Sequence, residues 1–562
     1  MKIVLCVFLC ASTLILSKTL AQDRLSGKTF ATRSEVIARN GMAATNHPIA
    51  SQIAIEVLKK GGSAVDAAIA ANAFLGFADP GMNGIGGDLF AIVWDAKTNK
   101  LYGLNGSGRS AQSLTLAHLQ AEEKKQNYYY QGPLSITTPG CVDGWFMLHG
   151  KFGKLSMAEL LQHTIRYAKE GVAITQETAD NFLEVEPTVA ADNKNFRDRY
   201  FNGDRFYRKG EIYKNPELAS TLEIIAAKGR DGFYKGTVAA KIEQYMKEVN
   251  GFLTSADLAQ HKGEWVDPIS VRYRGYDIWE LPPNGQGMCA LQMLTILSGF
   301  DLTKMGHHSA EHLHHFVEAK KLAYEDMAVF YGDPAFGKIP INELLSEEYA
   351  STRRKLIDPE KAGEYQPGLP SGDHTIYLTT ADKDGNMVSL IQSNAALFGS
   401  RQVPTGLGFA LHNRGGGFTL REGQINTFAP GKRPFHTIIP AFITKDGEPF
   451  MSFGLMGGDM QTQGHVQIVM NIIDFGMNLQ EAGDAPRVYH RGTLSSRGHV
   501  AGVGDTFVES GFDYDVVRGL MLKGHSIRMD MGIYGGYQAI MRKDGIYYGA
   551  SESRKDGQAV GY

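Results

Sequence analysis

"SGDHTIYLTTADKDGNMVSLIQSN", residues 371–394, reads as a polar turn, a short strand, an Asp-Gly reversal and a second strand. If Asp384-Gly385 is a two-residue turn, Lys383 pairs with Asn386. Counting outward then sets Thr375 opposite Asn394 and beside Ser393, within the one residue that a bulge can add. Two hydroxyls thus meet at the open end of a hairpin. Most strand threonines only pack, and this one gains chemistry if the peptide bond before it is broken. A freed α-amino group has an ordinary pKa near 8, so at neutral pH an appreciable fraction is uncharged and can take the proton of its own residue's hydroxyl. A chain-starting threonine therefore carries nucleophile and base together.

Acyl transfer also needs donors for a developing oxyanion. In "FGLMGGDMQTQ", residues 453–463, a strand ends in Gly457-Gly458 just before a helix, where backbone N–H groups without side chains can point at an anion. Taken alone, the pair reads first as an ordinary helix-entry turn.

Outward from this hairpin, the chain divides in texture. "TNHPIASQIAIEVLKKGG", residues 45–62, predicts a helix opened by Asn46 or His47 with Pro48 in its first turn, and a second helix restarts at Ser63. Helices are expected to predominate up to about residue 360. The last third alternates strands with Lys-Asp-Gly turns beginning at Lys383, Lys445, Lys543 and Lys555, each expected to be a tight reversal, with one helical stretch across residues 465–487. No linker separates the halves, so the fold class expected is α+β, with helices layered on sheets in one unit.

Lys2, an apolar run from Ile3 to Leu16 and small residues at Thr19 and Ala21 form the pattern of a secretory signal cut after Ala21, a run too short for a membrane span. The expectation is an exported protein, periplasmic or secreted, with no membrane span after signal removal. Cys141 and Cys289 would then be the remaining thiols, too few for a disulfide scaffold or a structural zinc site, and are read as two separate buried side chains. A net charge of −3 with both signs mixed along the chain leaves no footprint for nucleic acid. His308, His312 and His315 could share a helix face, but no carboxylate stands at a ligand spacing, so no metal is expected. "GMNGIGGD", residues 81–88, lacks the Lys-Ser/Thr ending of a phosphate loop and is read as a tight turn lining a pocket.

Seven stretches in order, "GGSAVDAAIAANA", "NGIGGDLFAIVWD", "GPLSITTPGCVDGWFMLHGKFGKL", "YRGYDIWELPPNGQG", the hairpin itself, "APGKRPFHTIIPAF" and "GASESRKDGQAVGY", make the chain resemble the γ-glutamyltranspeptidase family of N-terminal-nucleophile hydrolases over nearly its whole mature length. The resemblance implies a four-layer αββα sandwich and a precursor that cuts itself between His374 and Thr375. After a signal at 1–21, a helix-rich large subunit (22–374) and a strand-rich small subunit (375–562) would stay together. Thr375 would serve as nucleophile of both the self-cleavage and the enzyme, Ser393 as the supporting hydroxyl, and Gly457 and Gly458 as the oxyanion hole. No cofactor is implied.

The match fails in the substrate pocket. Where the family holds a γ-glutamyl group with Asn, Gln, Asp, Arg and a pair of serines, this chain has Ala395, Arg414, Gly417, Ser107 and His436-Thr437. A cation at Arg414 repels the ammonium of a γ-glutamyl donor, while Arg109, two residues from the matching arginine position, could reach a carboxylate. The expected partner is a small-molecule amide, glutathione or a related γ-glutamyl or glutaryl amide. The alternatives are an acylase for glutaryl-type amides and a non-catalytic homologue.

Overall fold

The computed structural model describes residues 27–125, 131–189, 193–365, 374–492 and 502–562. The proposed signal and Gly372-Asp373 lie outside them. Two seven-stranded sheets lie face to face. In the first, the order is Gln558–Gly561, Met42–Thr45, His374–Ala381, Met387–Ala395, Asp88–Asp95, Lys100–Asn105 and Glu264–Val266. In the second, it is Val36–Ala38, Ile546–Ser551, Gly536–Lys543, Glu448–Met456, Ala441–Lys445, Tyr276–Glu280 and Ile269–Tyr273.

Side-chain alternation builds the layers. Along the strand His374–Ala381, Tyr377 and Ala381 join a core between the sheets with Phe90, Trp94, Phe442 and Ile540, while Ile376 and Leu378 face a second core under helices Pro48–Lys59 and Ala64–Ala78. Helices Gly287–Leu297, Ala310–Phe330 and Met460–Ile473 cover the other sheet around a third core. The result is the αββα sandwich. Thr379 bridges the sheets through a 2.6 Å hydroxyl contact with Ser452, so the odd-numbered residues from Thr375 onward point inward.

Sequence signals place the first helices well: His47 caps Pro48–Lys59, and Ser63 with Asp66 forms a capping box at the start of Ala64–Ala78. Helices predominate in the first part as expected, and that part also gives strands to both sheets, notably Asp88–Asp95, Lys100–Asn105 and Tyr276–Glu280. Other expectations need correction. The last third has a further helix, Tyr514–Leu522. The reversals at Asp446-Gly447 and Asp544-Gly545 are two-residue turns with both residues at positive φ. That at Lys555 instead carries the chain from one sheet to the other.

The hairpin's own turn is longer than the two-residue reading. Asp382 N–H donates to the Asn386 carbonyl, and Ala381 pairs with Met387, so Lys383-Asp384-Gly385 form the loop with Gly385 at φ +91°. This slips the register by one. A bulge between His374 and Ile376 slips it back, and Thr375 ends beside Ser393 and Asn394. Cys141 and Cys289 are buried and form no disulfide. No helix among the described residues is long and apolar enough to cross a membrane.

Candidate active site

Three central strands bring the site together at one end of the sandwich. Thr375 on the first, Ser393 on the second and Asp88 on the third are fully buried, and Ser393 is the register partner of Asp88. The Thr375 hydroxyl lies 3.5 Å from Ser393 Oγ and accepts a 3.2 Å bond from Gln461 Nε2. Gln461 is itself fixed, because its Oε1 accepts the Ile439 N–H. Engaging a lone pair of Thr375 Oγ1 in this way turns its O–H away from Gln461. Ser393 Oγ in turn accepts from the Ala395 N–H at 2.8 Å and from Arg414 Nη2 at 3.1 Å.

Arg414 is 1% exposed, and its Nη1 donates to Thr437 Oγ1 at 2.8 Å. Thr375, Ser393, Arg414 and Thr437 therefore form one chain of hydrogen bonds. His436 belongs to the same wall through Asp88, to which its Nε2 donates at 2.8 Å. Burial opposes the charged form of Asp88, but His412, the bond from His436 and the Arg414 guanidinium outweigh it and hold the carboxyl well below the usual range. Burial, then Arg414, pushes His436 down to about 3, so it stays neutral.

Gly457 and Gly458 stand between the strand Glu448–Met456 and the helix Met460–Ile473, at φ +117° and +58°. The Gly457 carbonyl accepts from the Met460 N–H, and that of Gly458 accepts from the Gln461 N–H and from Gln286 Nε2. Because Gln461 also reaches Thr375, the glycine pair lies within one helical turn of the residue that binds that hydroxyl. The arrangement sets a hydroxyl, a second hydroxyl beside it and a buried cation in one hydrogen-bonded chain, with the glycine turn close by.

Arg109 is placed elsewhere. Its guanidinium bonds Asp333, Glu264 and the Gly431 carbonyl, and Ser107 bonds Asn105 and Asn284. His374 pairs with Ala395 at the start of its strand. Gly417 has no room for a side chain, since a Cβ there would meet the Phe435 carbonyl at 2.8 Å. His308, His312 and His315 do not converge: the His308 N–H donates to His312 Nδ1, and His315 Nδ1 bonds the Glu311 carbonyl. The described group that does converge is His314, Glu318 and His525, and there the Lys321 ammonium already sits 2.6 Å from Glu318. Sequence reading missed Gln461, Asp88 and His412. The available signal for Asp88 was a lone carboxylate opening the apolar strand "DLFAIVWD".

Comparison with known proteins identifies the family. The family model described as Gamma-glutamyltranspeptidase matches residues 50–562. The glutathione hydrolase-like YwrD proenzyme of Bacillus subtilis (strain 168) is 34% identical over 545 residues, covering 94% of this chain and 99% of that protein. The acylase ACY 1 proenzyme of Pseudomonas sp. (strain SE83) is 33% identical over 531 residues, covering 92% and 93%. The solved cephalosporin acylase from Bacillus halodurans superposes with a TM-score of 0.87 at 40% identity, covering 96% of this chain and 99% of that one. Matched along its length by the family model and by relatives of equal size, the chain belongs to the γ-glutamyltranspeptidase family, with the fold of the N-terminal-nucleophile hydrolases.

Proposed function

We propose that this chain is a self-processing amidohydrolase in which Thr375 first attacks the carbonyl carbon of His374. The C–N bond breaks as the nitrogen takes a proton, and water hydrolyses the resulting ester to leave Thr375 with a free amine. That amine then takes the proton of its own hydroxyl, and Thr375 Oγ1 attacks the substrate amide. The amine product departs, the acyl group rests on Thr375 as an ester, and water releases it. Gly457 and Gly458 N–H groups are the proposed oxyanion donors, and Ser393 and Gln461 hold the nucleophile. The large part (22–374) and small part (375–562) would remain joined after the cut, because the first sheet takes strands from both. An exported enzyme, with a large fragment starting at Gln22, fits the N-terminal pattern.

The substrate reading rests on Arg414. A buried guanidinium that donates to Ser393, itself beside Thr375, presents positive charge to whatever acyl group occupies the site. An acyl donor ending in a bare carboxylate pairs with it, whereas a γ-glutamyl donor must bring its ammonium to the same wall. That relatives of the chain include acylases is compatible with an acyl donor other than a γ-glutamyl group. Glutaryl and γ-glutamyl anilides assayed on one preparation test it: kcat/KM is expected to favour the glutaryl compound at least tenfold, which needs only about 1.4 kcal/mol. Arg414→Gln should shrink that ratio by tenfold or more. Gly417 is better left alone, since the Phe435 carbonyl closes that position. Efficient hydrolysis of the γ-glutamyl compound with neglect of the glutaryl one contradicts the reading.

Gln461→Leu removes a donor to Thr375 Oγ1 and strands the Ile439 N–H. One such bond is worth about 1–1.5 kcal/mol, so turnover is expected to fall roughly tenfold with self-cleavage still detectable. Unchanged turnover would show that the Thr375 hydroxyl is oriented without it.

A further inference from the structure

The geometry points to Asp88 as the positioning residue that sets the carboxylate-binding wall, an inference that rests on the substrate reading above. Asp88 opens the strand Asp88–Asp95 on the inner face, opposite Ser393, with a side chain that is completely buried. Its Oδ1 accepts the Gly108 N–H at 3.3 Å, and its Oδ2 accepts His436 Nε2–H at 2.8 Å and lies 3.7 Å from His412 Nδ1. His412 Nε2–H donates to the Thr137 carbonyl at 2.9 Å, and its Nδ1, buried without a hydrogen-bond partner, faces the carboxylate.

One carboxylate thus stands against three separate loops. The segment containing His412 carries Arg414 two residues later, and the segment containing His436 carries Thr437 next to it. Those two side chains bond each other at 2.8 Å. The links close a ring: Asp88 to His436, along the backbone to Thr437, across to Arg414, on to Ser393, and back over the strand pair to Asp88. The Arg414 guanidinium is held between the hydroxyls of Thr437 and Ser393, and a displacement of about 1 Å at a binding group can cost on the order of a hundredfold in rate. Asp88 supplies the fixed point. Loss of its charge also removes an anion from the surroundings of a buried cation, and Arg414 contributes to the lowered acidity range of Asp88.

Asp88→Asn keeps the size and removes the charge. With glutaryl anilide, kcat/KM is expected to fall at least tenfold, chiefly through KM, while the protein still cuts itself into two fragments. If Asp88 acts through Arg414, the same change placed on an Arg414→Gln background costs less than a further twofold. The crystal structure of Asp88→Asn should show the Arg414 guanidinium displaced by more than 1 Å from Thr437 and Ser393. Should Asp88→Asn fail to fold, His436→Leu cuts the same link and carries the same three expectations. A full tenfold loss on the Arg414→Gln background, or an undisplaced Arg414, overturns the role of Asp88. If the wild-type enzyme ignores glutaryl anilide, the substrate reading falls instead. The double-variant cycle on whichever anilide is turned over, together with the position of Arg414, still decides the role of Asp88.

Discussion

Replacing Thr375 by alanine is expected to leave the protein as a single chain with activity reduced by at least four orders of magnitude, the scale seen when an enzyme loses its nucleophile. The wild-type protein should give two fragments, the smaller beginning Thr-Ile-Tyr-Leu. Both effects come from one atom. Oγ1 of Thr375 belongs to the residue that directly follows the His374 carbonyl, and it is the hydroxyl that accepts from Gln461 and lies beside Ser393. Thr375→Ser keeps the hydroxyl but loses the methyl that restricts χ1, so it should cleave and turn over more slowly rather than not at all. Denaturing electrophoresis and anilide hydrolysis on the same samples read both outcomes. A single-chain wild-type protein with full activity would remove Thr375 from the mechanism.

The second large effect is expected at the glycine pair. Gly457 holds φ +117°, a conformation closed to side chains, and a Cβ there would lie 3.1 Å from the Gly535 Cα. Gly457→Val must rotate this peptide and swing its N–H away from the carbonyl being attacked. Loss of one oxyanion donor costs about 2.7–4 kcal/mol, so kcat should drop by a factor of about 100 to 1,000. Binding of glutarate, which resembles the acyl product and develops no oxyanion, should change less than threefold. Equal losses in binding and turnover would instead mean that the turn supports the pocket wall.

Much of this architecture was legible because local chemistry and tertiary structure agree. Ser63 with Asp66, Pro48 after His47 and the Asp-Gly turns each force a local conformation that the sandwich uses. The strands of the first part were hidden for a physical reason: "DLFAIVWD" is covered on both faces, so it has no polar alternation to betray a period of two. The hairpin was read with the wrong turn and yet the right neighbours, because the three-residue loop and the bulge at Thr375 cancel. Within the site, Thr375 and Ser393 follow from strand parity. Arg109 shows the limit of that approach. Two residues of loop suffice to send its guanidinium to Asp333 and Glu264, and nothing in sequence spacing reports the direction of a loop side chain. Gln461 and Asp88 were missed because their partners lie 86 and 348 residues away along the chain.

Trapping the acyl-enzyme tests the central claim most directly. Wild-type protein mixed with glutaryl anilide, quenched in acid during turnover and digested in acid for mass spectrometry, should carry one glutaryl group on the peptide that begins at Thr375, as an ester that mild base shifts to the neighbouring α-amine. Thr375→Ala treated identically should carry none. A glutaryl group on any other residue, or a small fragment that stays unmodified throughout rapid turnover, would contradict the assignment of Thr375 as the nucleophile.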